Sequence, residues 1–341
     1  MAAPDETEKP DRRLPFPPME AELVSELPEG EGWQFEPKWD GFRGVLENLG
    51  GGVRLWSRNG RPLLRYFPEL EEVGKRMPPD SALDGEIVIE TAGALDFDKL
   101  QMRLHPAESR VRKLSQEIPA SFVVFDMLLW KGEPVYEQPF EKRRRRVEKL
   151  RFDVSPATRD PEQGQAWVDR LEVAGFDGVI AKRLDLPYLP GSREAVRKVK
   201  REQTADCVVV GLRWKARPST IATMLLGLYD RKKVRYVGSA AVGARRHDEV
   251  AERLLPLLED APDRRFSEPN RWGTGDLEES AIRPEVVVEV RYDKWQGSRF
   301  RHGTRFLRWR PDKDPEQCTV SQVRPRPKKG DPTVPALLGK D

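Results

Sequence analysis

The chain has 341 residues, 38% of them apolar and 34% charged, with a formal net charge of +3. That length suits two domains with modest cores, and so small a net charge means that a nucleic-acid partner must be sought in where the charge sits. Two distant cysteines, Cys207 and Cys318, exclude a disulfide framework and a four-cysteine zinc site, and the scattered His105, His247 and His302 speak against a histidine-rich metal centre.

Residues 1–15 are rich in proline and charge and lack the apolar core of a secretion signal, so disorder is expected there. No run of about 18 apolar residues occurs, so no membrane span is expected and the cytoplasm is the default location. Residues 19–24 read as one short helix. Residues 33–38 alternate Trp33, Phe35 and Pro37 with polar neighbours and read as a strand. A turn at Asp40-Gly41 leads into a strand over 42–49. Gly50-Gly51-Gly52 then forms a hairpin loop to a returning strand over 53–57.

Helices are predicted over 67–76, 97–103, 140–150 and 161–174, and strands over 82–90, 121–130, 178–182 and 196–200. A boundary is predicted near 201–204. Beyond it, short strands over 206–212, 224–229, 234–237 and 286–292 surround one helix at about 246–258, which suits a small β-barrel such as an OB-fold. The proline-rich, basic tail from Gln322 is expected to be flexible. The organisation expected is therefore a disordered 1–15, a first domain over 16–202, a barrel over 203–321 and a tail over 322–341.

Six marked stretches stand in order in the first domain. They are Lys38-Trp39-Asp40-Gly41-Phe42-Arg43, Ser57-Arg58-Asn59-Gly60, Leu83-Asp84-Gly85-Glu86, Val124-Phe125-Asp126, Asp177-Gly178-Val179-Ile180-Ala181-Lys182 and Lys198-Val199-Lys200. A seventh, Arg310-Pro311-Asp312-Lys313, lies in the second. Each is weak alone, and their order and spacing are specific. Over roughly residues 16–320 the set resembles the covalent nucleotidyltransferases, which include ATP-dependent DNA ligases, RNA ligases and mRNA capping enzymes. It is most similar to the small bacterial ligase C type and the ligase module of ligase D.

The resemblance implies an α+β fold: a nucleotidyltransferase domain of ATP-grasp-like antiparallel sheets with helices, followed by an OB-fold. It implies a DNA repair enzyme that takes AMP from ATP onto Lys38 and seals nicks in duplex DNA. A lysine serves this chemistry only as the free amine, so burial or neighbouring positive charge must lower its pKa. Lys198 and Lys200 would supply such charge and hold the α-phosphate, and two lysines at i and i+2 share a strand face. By resemblance Glu36 reads the adenine amino group, Phe125 stacks on the base, Arg43 and Glu86 serve the ribose, and Arg58 binds phosphate. Glu86 and Asp177 would hold Mg²⁺ or Mn²⁺ through hard oxygens. Arg310, Asp312 and Lys313 would swing in to orient pyrophosphate, which implies domain closure. Two positions depart from the family pattern: Asp177 stands where glutamate is commoner, and Val196-Arg197 precedes the lysine pair in place of tryptophan.

Blander readings stand beside these. Lys38 alone could be a surface lysine, and Phe125 plain core. Asp126 reads as a hydrogen-bonded structural carboxylate, Asp84 as part of a turn. The histidines and cysteines read as ordinary packed or solvated residues. The run Lys142–Arg146 reads as a solvated helix face ahead of a DNA contact. Residues 289–313 hold eight basic residues against three acidic ones, with Tyr292, Trp295, Phe300, Phe306 and Trp309 interleaved. Phosphate binding is expected for the arginines, while the aromatics also suit barrel core. Repair or clamp proteins are expected partners, and the chain is expected to be a monomer. Competing functions are RNA ligation, GTP-dependent capping and non-catalytic nucleic-acid binding. The NAD-using ligases carry a four-cysteine zinc module that two cysteines cannot build.

Overall fold

The computed structural model describes residues 9–11, 13–216, 220–259, 278–324 and 327–340. Two compact units emerge, one of Met1–Arg201 with Pro327–Asp341, the other of Glu202–Arg326.

The first unit is built on two sheets. One orders its four strands Glu22–Val24, Val196–Val199, Val179–Arg183 and Trp33–Pro37. The other runs Asp153–Val154, Ser121–Trp130, Ser81–Val88, Phe42–Asn48 and Val53–Ser57, with Glu133–Pro134 added on Ser121–Trp130. Pairing is antiparallel except at two short edges, Glu22–Val24 on Val196–Val199 and Asp153–Val154 on Ser121–Trp130, which are parallel.

Alternation along the strands divides the core. Leu46, Leu55, Leu83 and Ile87 pack towards the helices with Phe67, Leu70 and Leu100. Val45, Trp56, Ala82 and Leu128 face the other way, onto Tyr188, Ala195 and Val196. Ser121–Trp130 is buried along almost its whole length, as its nearly unbroken apolar run requires.

In the second unit, five strands follow the order Lys233–Ala241, Thr220–Asp230, Gln203–Ala216, Val287–Tyr292 and Arg305–Trp309, all antiparallel. Bulges in Gln203–Ala216 bend the sheet, and the helix His247–Leu254 packs Val250 and Leu254 into its core. This is the OB-fold expected.

Several expectations need correction. Glu22–Val24 is an edge strand and not part of a helix. The helix Glu108–Glu117 was not anticipated. In the segment expected to be disordered, Leu14 is buried in the core and Asp11 pairs with Arg13, while residues 1–8 and 12 lie outside the described residues. The tail is docked, with a short helix Val334–Leu337 whose Val334 is buried. The basic helix Phe140–Val147 is not a uniformly solvated face, because Phe140, Arg143, Arg144 and Val147 point inward. Arg143 meets Asp126 in two hydrogen bonds of 2.7 and 3.0 Å, which explains the one charge in that apolar strand.

Candidate active site

The strand registers bring the marked residues together. In the four-stranded sheet, Glu36, Ile180 and Lys198 form one cross-strand row, and Gln34, Lys182 and Val196 form the row two residues away. In the facing sheet Arg43 lies opposite Glu86. A cavity of about 620 Å³ opens between these faces, within the size range of a small-molecule site. Its lining includes Glu36, Lys38, Arg43, Arg58, Glu86, Phe125 and Lys198.

Lys38 follows the end of its strand. Its amide donates to the Gly178 carbonyl at 2.8 Å, and its carbonyl accepts from the Asp177 amide at 3.0 Å. Gly178 has φ +113°, and a Cβ there would lie 2.0 Å from the Val199 carbonyl oxygen, so glycine is required. At Gly41, a Cβ would come within 2.2 Å of the Ile87 carbonyl oxygen, and the Gly41 amide donates to Glu86 at 3.1 Å. Asp40 and Gly41 thus turn the chain and seat it on the Glu86 strand. Beneath, Trp39 meets Phe176 edge-on at 4.8 Å between ring centres, and its indole donates to Ser155 at 2.9 Å.

Lys38 Nζ lies 2.7 Å from Asp177, which also holds Lys200 at 2.8 Å. Burial works to raise the Asp177 carboxyl, but the two ammonium groups outweigh it and hold it below the usual carboxylate range. Burial, then the charges of Lys38 and Lys200, lower the pKa of Lys198. Glu86 is pushed the other way, up to about 7, by burial that exceeds the pull of Lys38 and Arg43.

Arg43 grips Asp84 with two hydrogen bonds of 3.0 and 2.7 Å and also donates to Tyr188 and to the Met19 carbonyl. Asp84 is therefore more than a turn residue: it fixes the arginine that faces the cavity. Burial next to Asp84 raises the Tyr188 hydroxyl well above its ordinary value, so it stays a donor, at 2.6 Å from that carboxylate.

Lys182 ends one of the marked stretches but was given no role from the sequence. It reaches Glu36 at 3.0 Å and the Phe125 carbonyl at 3.2 Å, and its ammonium lies 4.6 Å from the Phe125 ring centre. Glu36 also accepts from Gln34 at 3.1 Å. Period-two spacing from Ile180 was the signal that could have found Lys182. Arg193 also lines the cavity and pairs with Glu20 at 2.8 Å, again outside the anticipated set.

The three remaining candidates lie in the second unit. Asp206 holds Arg310 and Lys313, each at 2.8 Å, and Arg310 also pairs with Asp312 at 2.9 Å. Of the interleaved aromatics, Tyr292 and Phe300 are barrel core, whereas Phe306 and Trp309 are half-buried and stacked by Arg246 and Arg253. His247 accepts from the Ile221 amide at 3.0 Å and His105 from the Ala107 amide at 3.1 Å, both packing roles.

The chain matches the family model of the ATP dependent DNA ligase domain over residues 18–200, and that of the ATP dependent DNA ligase C terminal region over 217–313. It is 41% identical over 338 residues to DNA ligase C2 of Mycolicibacterium smegmatis, covering 91% of this chain and 94% of that one. Over 296 residues it is 29% identical to the multifunctional non-homologous end joining DNA repair protein LigD of Mycobacterium tuberculosis, covering 84% of this chain and 37% of that protein. A solved Lig E DNA ligase shares the fold, with a TM-score of 0.53 and 14% identity across 86% of this chain and 100% of that one. The chain belongs to the ATP-dependent DNA ligases.

Proposed function

We propose that Lys38 is the residue through which this ligase carries AMP from ATP to a nick in duplex DNA. The supporting observation is the place of Lys38 at the cavity, with its backbone tied to residues 177 and 178 and its ammonium on Asp177. After losing a proton, Nζ attacks the α-phosphorus of ATP; an N–P bond forms and the bond to the leaving pyrophosphate breaks. A 5′-phosphate oxygen of the nick then attacks the same phosphorus, the N–P bond breaks and Lys38 regains a proton. Last, the 3′-hydroxyl attacks the 5′-phosphorus, loses its proton and expels AMP. Positioning and charge neutralisation carry each transfer.

The adenine would lie against Phe125, with Glu36 accepting from its amino group while Lys182 and Gln34 keep that carboxylate in place. Arg43, locked on Asp84, and Glu86 face the ribose. Arg58, Lys198 and Lys200 meet phosphate. Arg310, Asp312 and Lys313 would orient pyrophosphate when the second unit closes.

Among the described residues, no three histidine, cysteine or acidic side chains gather into a metal site. Glu86 and Asp177, both felt electrostatically by Lys38, offer two carboxylates. This suits Mg²⁺ or Mn²⁺, which binds one or two carboxylates beside substrate phosphates and, when bound, neutralises phosphate charge. We place the reaction in the cytoplasm, in a monomer, with repair or clamp proteins as partners.

The test is transfer of label from α-labelled ATP onto the protein, read on a denaturing gel and followed by nick sealing. Wild type should take label from ATP, and Lys38→Ala should take none. Label from GTP alone, or from ATP in Lys38→Ala, would overturn the assignment.

A further inference from the structure

The two family matches stop at residue 313, yet the last residues of the chain are built into the first unit. Val334 is 3% exposed and packs, with Leu337 and Leu338, in one cluster with Trp39, Leu171 and Phe176. Its amide donates to the Gly93 carbonyl at 2.8 Å. Polar contacts fasten the segment at both ends: Arg170 reaches the Gly330 carbonyl at 3.0 Å and Asp331 at 3.3 Å, and Lys340 pairs with Asp153 at 2.7 Å. Trp39 directly follows Lys38, and Phe176 directly precedes Asp177. The layer under the segment is therefore the one that carries the two partners of the 2.7 Å ion pair.

We propose that residues 327–340 are a positioning strap for the nucleophile. Val334 closes the apolar layer of Trp39 and Phe176, and that layer fixes the backbones of Lys38 and Asp177. No residue of the strap is among those lining the cavity. Without it the layer is open to water, Trp39 and Phe176 can shift, and Lys38 loses its aim while the base and ribose contacts remain. Misplacement of a reacting group by about 1 Å costs on the order of 100-fold in rate. The inference rests on Lys38 being the nucleophile.

The test is single-turnover labelling by ATP in the full chain, in Val334→Asp, in the milder Val334→Ala and in a chain ending at Arg326. At saturating ATP the rate should fall at least tenfold in Val334→Asp and in the truncated chain, and less in Val334→Ala. The half-saturating ATP concentration should stay within about twofold. Val334→Ile, which keeps an apolar branched side chain, should retain the rate, and a peptide of residues 327–341 added to the truncated chain should restore it.

Val53→Ala, in a core cluster that does not include Trp39, should also lower the melting temperature, but its saturating rate should be unchanged. An unchanged rate in folded Val334→Asp or Val334→Ala would overturn the strap, and so would an equal loss in Val53→Ala. Wild type that takes no label at all would overturn the assignment of Lys38 instead.

Discussion

Lys38 and Asp177 form an ion pair of 2.7 Å between two residues that also exchange a backbone hydrogen bond of 3.0 Å, and the same carboxylate holds Lys200 at 2.8 Å. One aspartate thus gathers two lysines, Lys38 and Lys200. Asp177→Asn keeps the shape and removes the charge. Its labelling rate should fall on the order of 100-fold, as expected for a misaimed reacting group, with little change in melting temperature. Asp177→Glu, which restores the commoner family residue, should stay within about tenfold of wild type. Single-turnover labelling measures both, and wild-type rates in Asp177→Asn would remove Asp177 from the mechanism.

Lys182 and Glu36 are both almost fully buried and 3.0 Å apart. Removing one partner of such a pair costs up to about 3–5 kcal/mol, here lessened for Glu36 by Arg144 at 3.8 Å, whereas removing both costs less. Lys182→Met should therefore lower the denaturation midpoint clearly, and Lys182→Met with Glu36→Gln should recover much of it. If Glu36 also reads the base, both variants should narrow the preference for ATP over GTP in labelling. A Lys182→Met protein as stable as wild type would mean that the pair does not hold the pocket together.

How far the chain could be read beforehand follows from the range of each interaction. The turn after Lys38 was legible because Lys38, Asp40 and Gly41 break an apolar alternation locally. Asp126 was legible as structural because a lone carboxylate in SFVVFDMLLW demands a partner, although nothing in the sequence named Arg143. Lys182 was hidden because its role depends on which strand lies beside it, a fact of register. Glu22–Val24 read as helix because its parallel partner, Val196–Val199, is about 170 residues away. Glu108–Glu117 was passed over because only Val111 and Leu114 mark its buried side. In the tail, proline and charge masked the apolar run Val334 to Leu338 that anchors it.

Glu86 gives the fold a pH dependence. Burial lifts its carboxyl from an ordinary value near 4.5 to about 7, so between those values the folded chain holds a proton that the unfolded chain has released. Stability from this group is fully present below about pH 4.5 and is lost as pH rises through about 7, a fall of roughly 3 kcal/mol at most. Melting curves across pH 5–8 should therefore show a decline that Glu86→Gln flattens. A decline of the same size in Glu86→Gln would place its origin in another group.

The second unit carries the test of DNA contact. Arg291, Arg308 and Arg310 are each paired with a carboxylate, on Glu202, Glu289 and Asp206 respectively, whereas Arg305 is exposed on the outer face of its strand. A protein that neutralises phosphates loses affinity as salt rises, by about one unit of log–log slope per phosphate contact. Binding of nicked duplex, followed by fluorescence anisotropy from low to moderate salt, should weaken steeply for wild type. Arg305→Ala should flatten that slope by about one and leave ATP labelling untouched. Arg308→Ala should change it less, because Glu289 already competes with phosphate for that guanidinium. Binding that ignores salt, or a slope unchanged by Arg305→Ala, would remove this strand from the DNA interface.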